Sequence, residues 1–466
     1  MEGIDENREI KATINSLIEQ IRALEAENTA LRAKIEELEK RQKLNSSNSH
    51  KPPSTDGLSK KPGLPKEAAK KSGGQVGHKG NTLKMVQEAD KVVVHHAAKC
   101  DTCGKQFCAE DVQEITQKRQ VFDIPEPKME VTEHQLGVIR CCGCKYEGEF
   151  PAAVSQPVQY GARIKGLGTL MSNDYKVPLK KIEQLMQDLW GCSFNESTVV
   201  NANAGMYEAL TAVEETIKTG LLGSKVAHFD ETGLRVAQKL HWMHVAATDK
   251  FTYLFIHPKR GKTALNSEQS VLKTFKQVAI HDCWSSYFDF EGCEHRLCGA
   301  HLLRELTNLI EAGSVWATQM HQLILDLYRA SERACVVVPE RQTWEDKFKV
   351  ICEVAHTQEP LAQPNERGRS KQSKGRNLLN RLVKHRDKWL GFAFEQPVPF
   401  SNNQAERDIR CVKTKQKVAT NFQTVKGAEH YARIQSFIST LRKHSRNVFT
   451  GLVSIFEGKF VDFQSA

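Results

Sequence analysis

The residues best suited to chemistry in this chain are carboxylates and cysteines. The apolar run Val226-Ala227-His228-Phe229 ends in Asp230 and continues as Glu231-Thr232-Gly233, read as a turn. A second run, Gln277-Val278-Ala279-Ile280-His281, ends in Asp282. Two strands thus present an acid at their C-terminal ends. Taken singly, each acid is better explained as a helix cap or a solvated turn than as a catalytic group. A third acid, Glu406, stands in Asn402-Asn403-Gln404-Ala405-Glu406-Arg407-Asp408-Ile409-Arg410, after Pro399-Phe400-Ser401, with the chemistry of a helix start. On a helix Asn403, Glu406 and Arg410 share one face, while Ala405, Ile409 and Val412 occupy another. The glutamate therefore points one way and the opposite side is buried.

The cysteines are grouped. Cys100-x-x-Cys103 and Cys141-x-x-Cys144 are separated by 37 residues. No secretory signal is read at the N-terminus, so a cytoplasmic, reducing setting is expected, and there such pairs read as metal ligands, not disulfides. Four thiolates suit tetrahedral Zn2+, and the intervening segments 119–124 and 130–139 read as strands, giving a zinc ribbon over 91–150. Cys108 or Cys142 are alternatives for one of the four positions. Cys293-x-His295-x-x-Cys298-x-x-His301 offers ligand types for a second zinc, although His301 fits better near the carboxylates or in the core.

Around these residues the chain divides into segments. Residues 1–44 carry Leu17, Leu24, Leu31 and Leu38 at d with Ile14, Ile21, Asn28 and Ile35 at a, the pattern of a parallel two-stranded coiled coil, or leucine zipper, with Asn28 as register pin. Glu27 would face Arg32 of a second copy, so a homodimer is expected. Residues 45–90 are a basic linker poor in large apolar residues; its Gly73-Gly74-Gln75-Val76-Gly77-His78-Lys79-Gly80 block offers Gln75, His78 and Lys79 to a phosphate backbone. Residues 151–222 read as short helices in a helix-turn-helix-like region: Ile164, Leu167, Leu170 and Met171 mark the first, Pro178 opens the second, and Ser197-Thr198 starts the third. Strands dominate 223–300, helices 301–395, and 396–450 carries Glu406; 451–466 is read as a tail. The helical stretch holds a basic loop with Arg367, Arg369, Lys371, Lys374 and Arg376.

Composition limits the classes. A chain of 466 residues exceeds one hydrophobic core, and no apolar run reaches the roughly 18 to 20 residues needed to span a bilayer, so no membrane role is expected. The net charge of +10 is concentrated: residues 51–100 hold ten lysines against four acids, and 401–466 hold eleven Lys or Arg against five acids. Both are candidate DNA-backbone contacts, with Arg410, Lys413 and Lys417 placed around Glu406.

These stretches together resemble the transposases of the insertion sequence 66 family. The resemblance runs through the zipper, Asn45-Ser-Ser-Asn-Ser-His-Lys-Pro-Pro-Ser54, the Gly73–Gly80 block, the paired Cys-x-x-Cys elements, Asp230-Glu231-Thr232, Asp282-x-Trp284-x-x-Tyr287, Cys298-x-Ala300-His301-x-x-Arg304-Glu305-Leu306 and Asn403-x-Ala405-Glu406-Arg407-x-x-Arg410. Two departures are Ala97-Ala98 before the first cysteine and the doubled Cys141-Cys142. The resemblance implies a multidomain α+β chain whose RNase H-like α/β core is interrupted by a helical insertion. It implies a catalytic triad of Asp230, Asp282 and Glu406 holding Mg2+ (or Mn2+), acting on transposon-end and target DNA near the nucleoid, with small accessory proteins as partners. Two ions about 4 Å apart would clamp the attacking and leaving oxygens of an in-line phosphoryl transfer. The competing readings are a catalytically silent, dimeric zinc-dependent DNA-binding protein and a nuclease without strand transfer.

Overall fold

The computed structural model describes residues 17–32, 34–35, 48, 82–333, 338–363, 370, 372–395 and 398–463. The chain divides into two compact units, Pro62–Glu133 and a larger one comprising Met1–Lys61 and His134–Ala466. In the smaller unit the Gln120 side chain grips the backbone of Val86, donating to its carbonyl and accepting from its N–H, both at 2.8 Å. Residues 119–124 are extended but form no strand among the described residues, contrary to the expectation, and Val121 and Ile124 are exposed. Their β-branched side chains have neither a paired strand nor a core beneath them.

The larger unit begins with helix α1, described over 17–32 and 34–35, whose Leu17, Ile21, Leu24 and Leu31 are each more than half exposed. A tight hairpin follows, β1 (Val138–Cys141) and β2 (Cys144–Glu147); its two turn residues, Cys142 and Gly143, both have positive φ, as a two-residue hairpin turn requires. Of the expected strand 130–139, only its last two residues lie in a strand. Four helices come next: α2 (Ala162–Asn173), α3 (Leu179–Trp190), α4 (Glu196–Ala209) and α5 (Thr211–Leu222). Gly191, in the left-handed region at φ 61°, ends α3, and the Asn195 carboxamide accepts the Thr198 N–H to start α4 two residues before the expected Ser197.

The central sheet has strand order β5-β4-β3-β6-β7. β3 (Val226–Val236), β4 (Lys239–Ala247) and β5 (Thr252–His257) form the antiparallel meander, and after the short α6 (Lys262–Leu265), β6 (Val278–His281) and β7 (Glu294–Leu297) run parallel to β3. Glu231-Thr232-Gly233 is not a turn: β3 passes straight through it, every residue from His228 to Val236 pairing with β4. The chain reverses instead at Ala237-Gln238, both at positive φ. β7 was not anticipated; its four residues alternate between solvent and core and are too few to show a period.

Side-chain alternation gives β3 two different faces. Ala227 and Phe229 enter a core shared with Met206, Val213 and Ile217 of α4–α5 and with Phe437 and Leu452 of the C-terminal helices. Leu234 and Val236 pack on the opposite side against Ala405, Ile409 and Val412. Those three belong to α12 (Asn403–Ala419), reached through the insertion helices α7 (Gly299–Glu311), α8 (Val315–Arg333), α9 (Val338–Gln358), α10 (Lys374–Lys384) and α11 (Arg386–Phe394), which build a core around Trp316, Leu379 and Trp389 that also takes in Ile280 of β6 and Leu297 of β7. Lys374 and Arg376 belong to the first turn of α10 and not to a loop, and Arg376 is tied to the Glu359 carbonyl at 3.0 Å; Arg367, Arg369 and Lys371 lie outside the described residues. The segment read as a tail is helical: α13 (Val425–Lys443) is followed by α14 (Val448–Phe456), and Leu452, Ile455 and Phe463 are buried. Because α13 and α14 pack against α2, α4 and α5, residues 162–222 share a core with the C-terminus and do not form a free-standing helical domain.

Candidate active site

Asp230 belongs to the β3 face that α12 covers, and Glu231, one residue on, turns to the other. Asp282 follows directly on β6, the parallel neighbour of β3, and its Oδ1 accepts the Trp284 N–H at 3.0 Å. Glu406 projects from the first turn of α12. That helix is fixed at its start by Asn402, which is almost wholly buried: its amide donates to the Phe229 carbonyl at 2.8 Å, its side-chain oxygen meets His228 Nδ1 at 3.0 Å, and its backbone N–H donates to Cys298 Sγ at 3.1 Å. Farther along α12, Asp408 accepts from Thr252 at 2.8 Å and pairs with Lys443 at 2.5 Å, joining the helix to β5 and α13.

Asp282, from the end of β6, and Glu406, from α12, both act electrostatically on Asp230 of β3. Burial, then the charges of Glu231 and Asp282, and less strongly that of Glu406, push the Asp230 carboxyl well above the usual carboxylate range; the Glu231 N–H on its Oδ1 at 2.8 Å offsets part of this. Glu231 is likewise raised, by burial and by Asp282, against the Tyr287 hydroxyl and the Arg260 guanidinium that hold it. Arg260 pairs with Glu231 at 2.7 Å, lies over the rings of Trp284 and Trp242 at 4.1 and 5.0 Å, and Tyr287 donates to the other carboxylate oxygen. Alternation separates the adjacent acids: Asp230 is left to the site, and Glu231 locks the loop after β6 to the sheet. The sequence reading gave Glu231 no role beyond its place in a motif.

Around Glu406 the insertion supplies further groups. Arg304 approaches its Oε2 at 3.6 Å, and His301 Nδ1 lies 3.8 Å from Oε1. Oε1 is buried with no hydrogen-bond partner among the described residues. His301 therefore stands beside a proposed acid, as expected. The four-residue zinc motif is divided: His295 contacts His281 and the Phe290 carbonyl, each at 2.9 Å, while Cys298 and His301 face Glu406.

The cysteine pairs are each locally shaped. The Cys100 thiol is held below the usual thiol range by the N–H groups of Cys103 and Thr102, and Gly104, at φ 75°, closes the turn with its N–H on the Cys100 carbonyl. Cys108 donates to Asp111 at 3.3 Å and is pushed up by Glu110 and Asp111, so it is the poorer thiolate. Cys141 and Cys144 are register partners across the β1–β2 hairpin. Of the residues expected to meet DNA, Arg410 and Lys417 are exposed, whereas Lys413 is half-buried and donates to the Gly233 carbonyl at 2.6 Å, tying α12 to β3. Gln75, His78 and Lys79 lie outside the described residues.

Carboxylates are hard oxygen donors suited to divalent cations, but among the described residues the side chains close enough together to share one ion are Cys298, His301 and Glu406, and not the three acids. Comparison with known families names the setting. A family model described as Transposase IS66 family matches residues 159–430, which include all three acids, and a second, described as a family of unknown function (DUF6444), matches residues 4–84. No curated protein matches the chain. The chain belongs to the IS66 transposase family, and its function is related to DNA transposition. No helix among the described residues is long and apolar enough to cross a membrane.

Proposed function

We propose that the chain is a DDE-type transposase that cuts transposon ends and joins them to target DNA through two Mg2+ (or Mn2+) ions held by Asp230, Asp282 and Glu406. The observation that carries this reading is the placement of Asp230 on β3, Asp282 at the end of the neighbouring β6 and Glu406 on the helix covering β3, with the charges of Asp282 and Glu406 both felt by the buried Asp230 carboxyl, a burden a divalent cation would relieve. Supporting it, the sheet has three antiparallel strands followed by two parallel ones, the order an RNase H-like core would have, and a helical insertion separates Asp282 from Glu406. Asp230, Asp282 and Glu406 would hold the ions, which when bound would supply charge stabilisation to the attacking and leaving oxygens of a phosphoryl transfer. Arg410 and Lys417 would hold phosphates of the bound strand. The test is Mg2+-dependent cleavage of end DNA: Asp230→Asn, Asp282→Asn and Glu406→Gln should each lose roughly a thousandfold or more, since metal stabilisation of the transition state amounts to several kcal/mol. Cleavage surviving in all three would remove the triad.

Cys100, Cys103, Cys141 and Cys144 are proposed as ligands of structural Zn2+ on their Cys-x-x-Cys spacing in the sequence. The N–H-supported sulfur of Cys100 suits it, and Cys141 and Cys144 are register partners in the hairpin, where the Cys141 sulfur lies 3.5 Å from that of Cys142. Metal analysis of protein purified without chelator should give zinc that falls by one equivalent in Cys103→Ser; unchanged zinc would sink the assignment.

A further inference from the structure

Cys298, His301 and Glu406 bring one sulfur, one ring nitrogen and one carboxylate oxygen within 4.8 Å of one another. Cys298 is the N-cap of α7, His301 lies in its first turn, and Glu406 comes from α12. The sulfur is 1% exposed, yet it is supplied with donors: the Asn402 N–H reaches it at 3.1 Å, and the N–H groups of His301 and Ala300 also face it. Burial pushes this thiol up to about 11 and the N–H groups offset only part of that, so the sulfur keeps its proton until a bound cation replaces it. Opposite, Glu406 Oε1 is buried without a hydrogen-bond partner among the described residues. The 3.8 Å between it and His301 Nδ1 is too long for a hydrogen bond. Nitrogen and oxygen donors on one tetrahedral ion, at bond lengths of roughly 2.0–2.1 Å, stand about 3.3 Å apart, so these two need to close by about half an ångström to share it.

We propose that Cys298, His301 and Glu406 form a three-ligand site for a thiophilic divalent cation, Zn2+ foremost, and that filling it withdraws Glu406 from magnesium. The second half rests on the triad reading above; the first stands on the donor set alone. Mixed sulfur, nitrogen and oxygen ligands suit Zn2+ or Co2+, whereas Mg2+ demands oxygen in octahedral array. Three protein ligands leave a fourth position for water or a phosphate oxygen. The insertion, which carries Cys298 and His301 at its start, would thus set which metal the glutamate serves.

The test uses Co2+ on the full chain, because sulfur-to-cobalt charge transfer reports sulfur ligation. Wild-type protein should bind one equivalent more than Cys298→Ser and show the corresponding additional near-ultraviolet absorption. His301→Asn should weaken that same equivalent at least tenfold, and it carries the test alone if circular dichroism shows Cys298→Ser to be unfolded. Equal stoichiometry and equal absorption in wild type and the folded variant would overturn the site. Asp230→Asn should keep the cobalt signal while losing Mg2+-dependent cleavage, so failure of the triad and failure of this site are separately visible. Micromolar Zn2+ should inhibit cleavage by wild type, with His301→Asn needing at least tenfold more relative to its own uninhibited rate; identical inhibition would overturn the competition.

Discussion

Asp230 concentrates the conflict between stability and chemistry. Its carboxyl is raised by burial and by three neighbouring acids, so the folded state favours the protonated form while the unfolded chain releases its proton near pH 4. For a carboxyl raised by folding, the linked stability is present below the unfolded pKa and is lost as pH rises through the folded one. At neutral pH the metal-free protein therefore folds against its own acid cluster. Asp230→Asn should raise the thermal midpoint of metal-free protein, by about 2 °C for a gain of ~1 kcal/mol, while abolishing any Mg2+-induced increase. A calorimetric midpoint that falls in the variant would contradict this account of the cluster. Glu231 is the contrasting case, a buried acid already paired with Arg260 and Tyr287. Breaking its partner by Arg260→Ala would leave a buried uncompensated charge, a structural loss and not a chemical one.

At the scale of elements, the decisive junction is the one between β3 and α12. Asn402 contributes two side-chain contacts to β3 and one backbone contact to the cap of α7, so three elements meet on one buried residue. Asn402→Ala would strand the Phe229 carbonyl without a donor and His228 without its partner, a cost of about 2–4 kcal/mol from two lost buried hydrogen bonds. Denaturant midpoints measure this directly; a change below about 0.5 kcal/mol would show that the junction does not hold the helix. The backbone is close-packed at the same place, since a Cβ on Gly299 would stand 2.1 Å from the Phe400 ring. Glu406 is thus positioned by a seam with no room to slip.

For the whole molecule, acid sensitivity follows from buried histidines. His228 and His244 are pushed down to about 4 and His281 to about 3, each chiefly by burial, while the unfolded chain protonates them near 6.5. Between those values the unfolded state binds more protons, so stability is lost as pH falls from 6.5 toward 4. Asp230 and Glu231 pull the other way, but three groups outweigh two at roughly 1.4 kcal/mol per pH unit each. The net expectation is a thermal midpoint that declines on acidification from pH 7 to 5. His244→Phe, which keeps the stack on Phe255 and removes a buried nitrogen lacking a partner, should flatten that decline. A profile unchanged in the variant would remove His244 from the account. Assembly belongs to this scale too. The seam of α1, with Asn28 between Ile21 and Ile35, is half-exposed, and the proposal that a second copy of the chain covers it can be tested. Sedimentation should find a dimer at micromolar concentration that Leu24→Ser with Leu31→Ser dissociates; a wild-type monomer would refute the zipper.

Periodicity and local chemistry were enough to read α12 with its apolar Ala405, Ile409 and Val412, the insertion helices, and the strand ending at Asp282, because each is specified by residues close in sequence. Gly233 misled where it sits within a paired strand, and the true reversal at Ala237-Gln238 carries no glycine to announce it. Burial of the supposed tail, the sharing of one core by residues 162–222 and the C-terminal helices, and the pairing of Glu231 with Arg260 all depend on partners distant along the chain. So does the meeting of Cys298 with Glu406, two groups 108 positions apart in sequence. Residue type alone fixed which side chains are able to bind a cation; only the packing of β3, α7 and α12 decided which of them stand together, because side-chain contact is set by strand alternation and helix seating that local sequence does not encode.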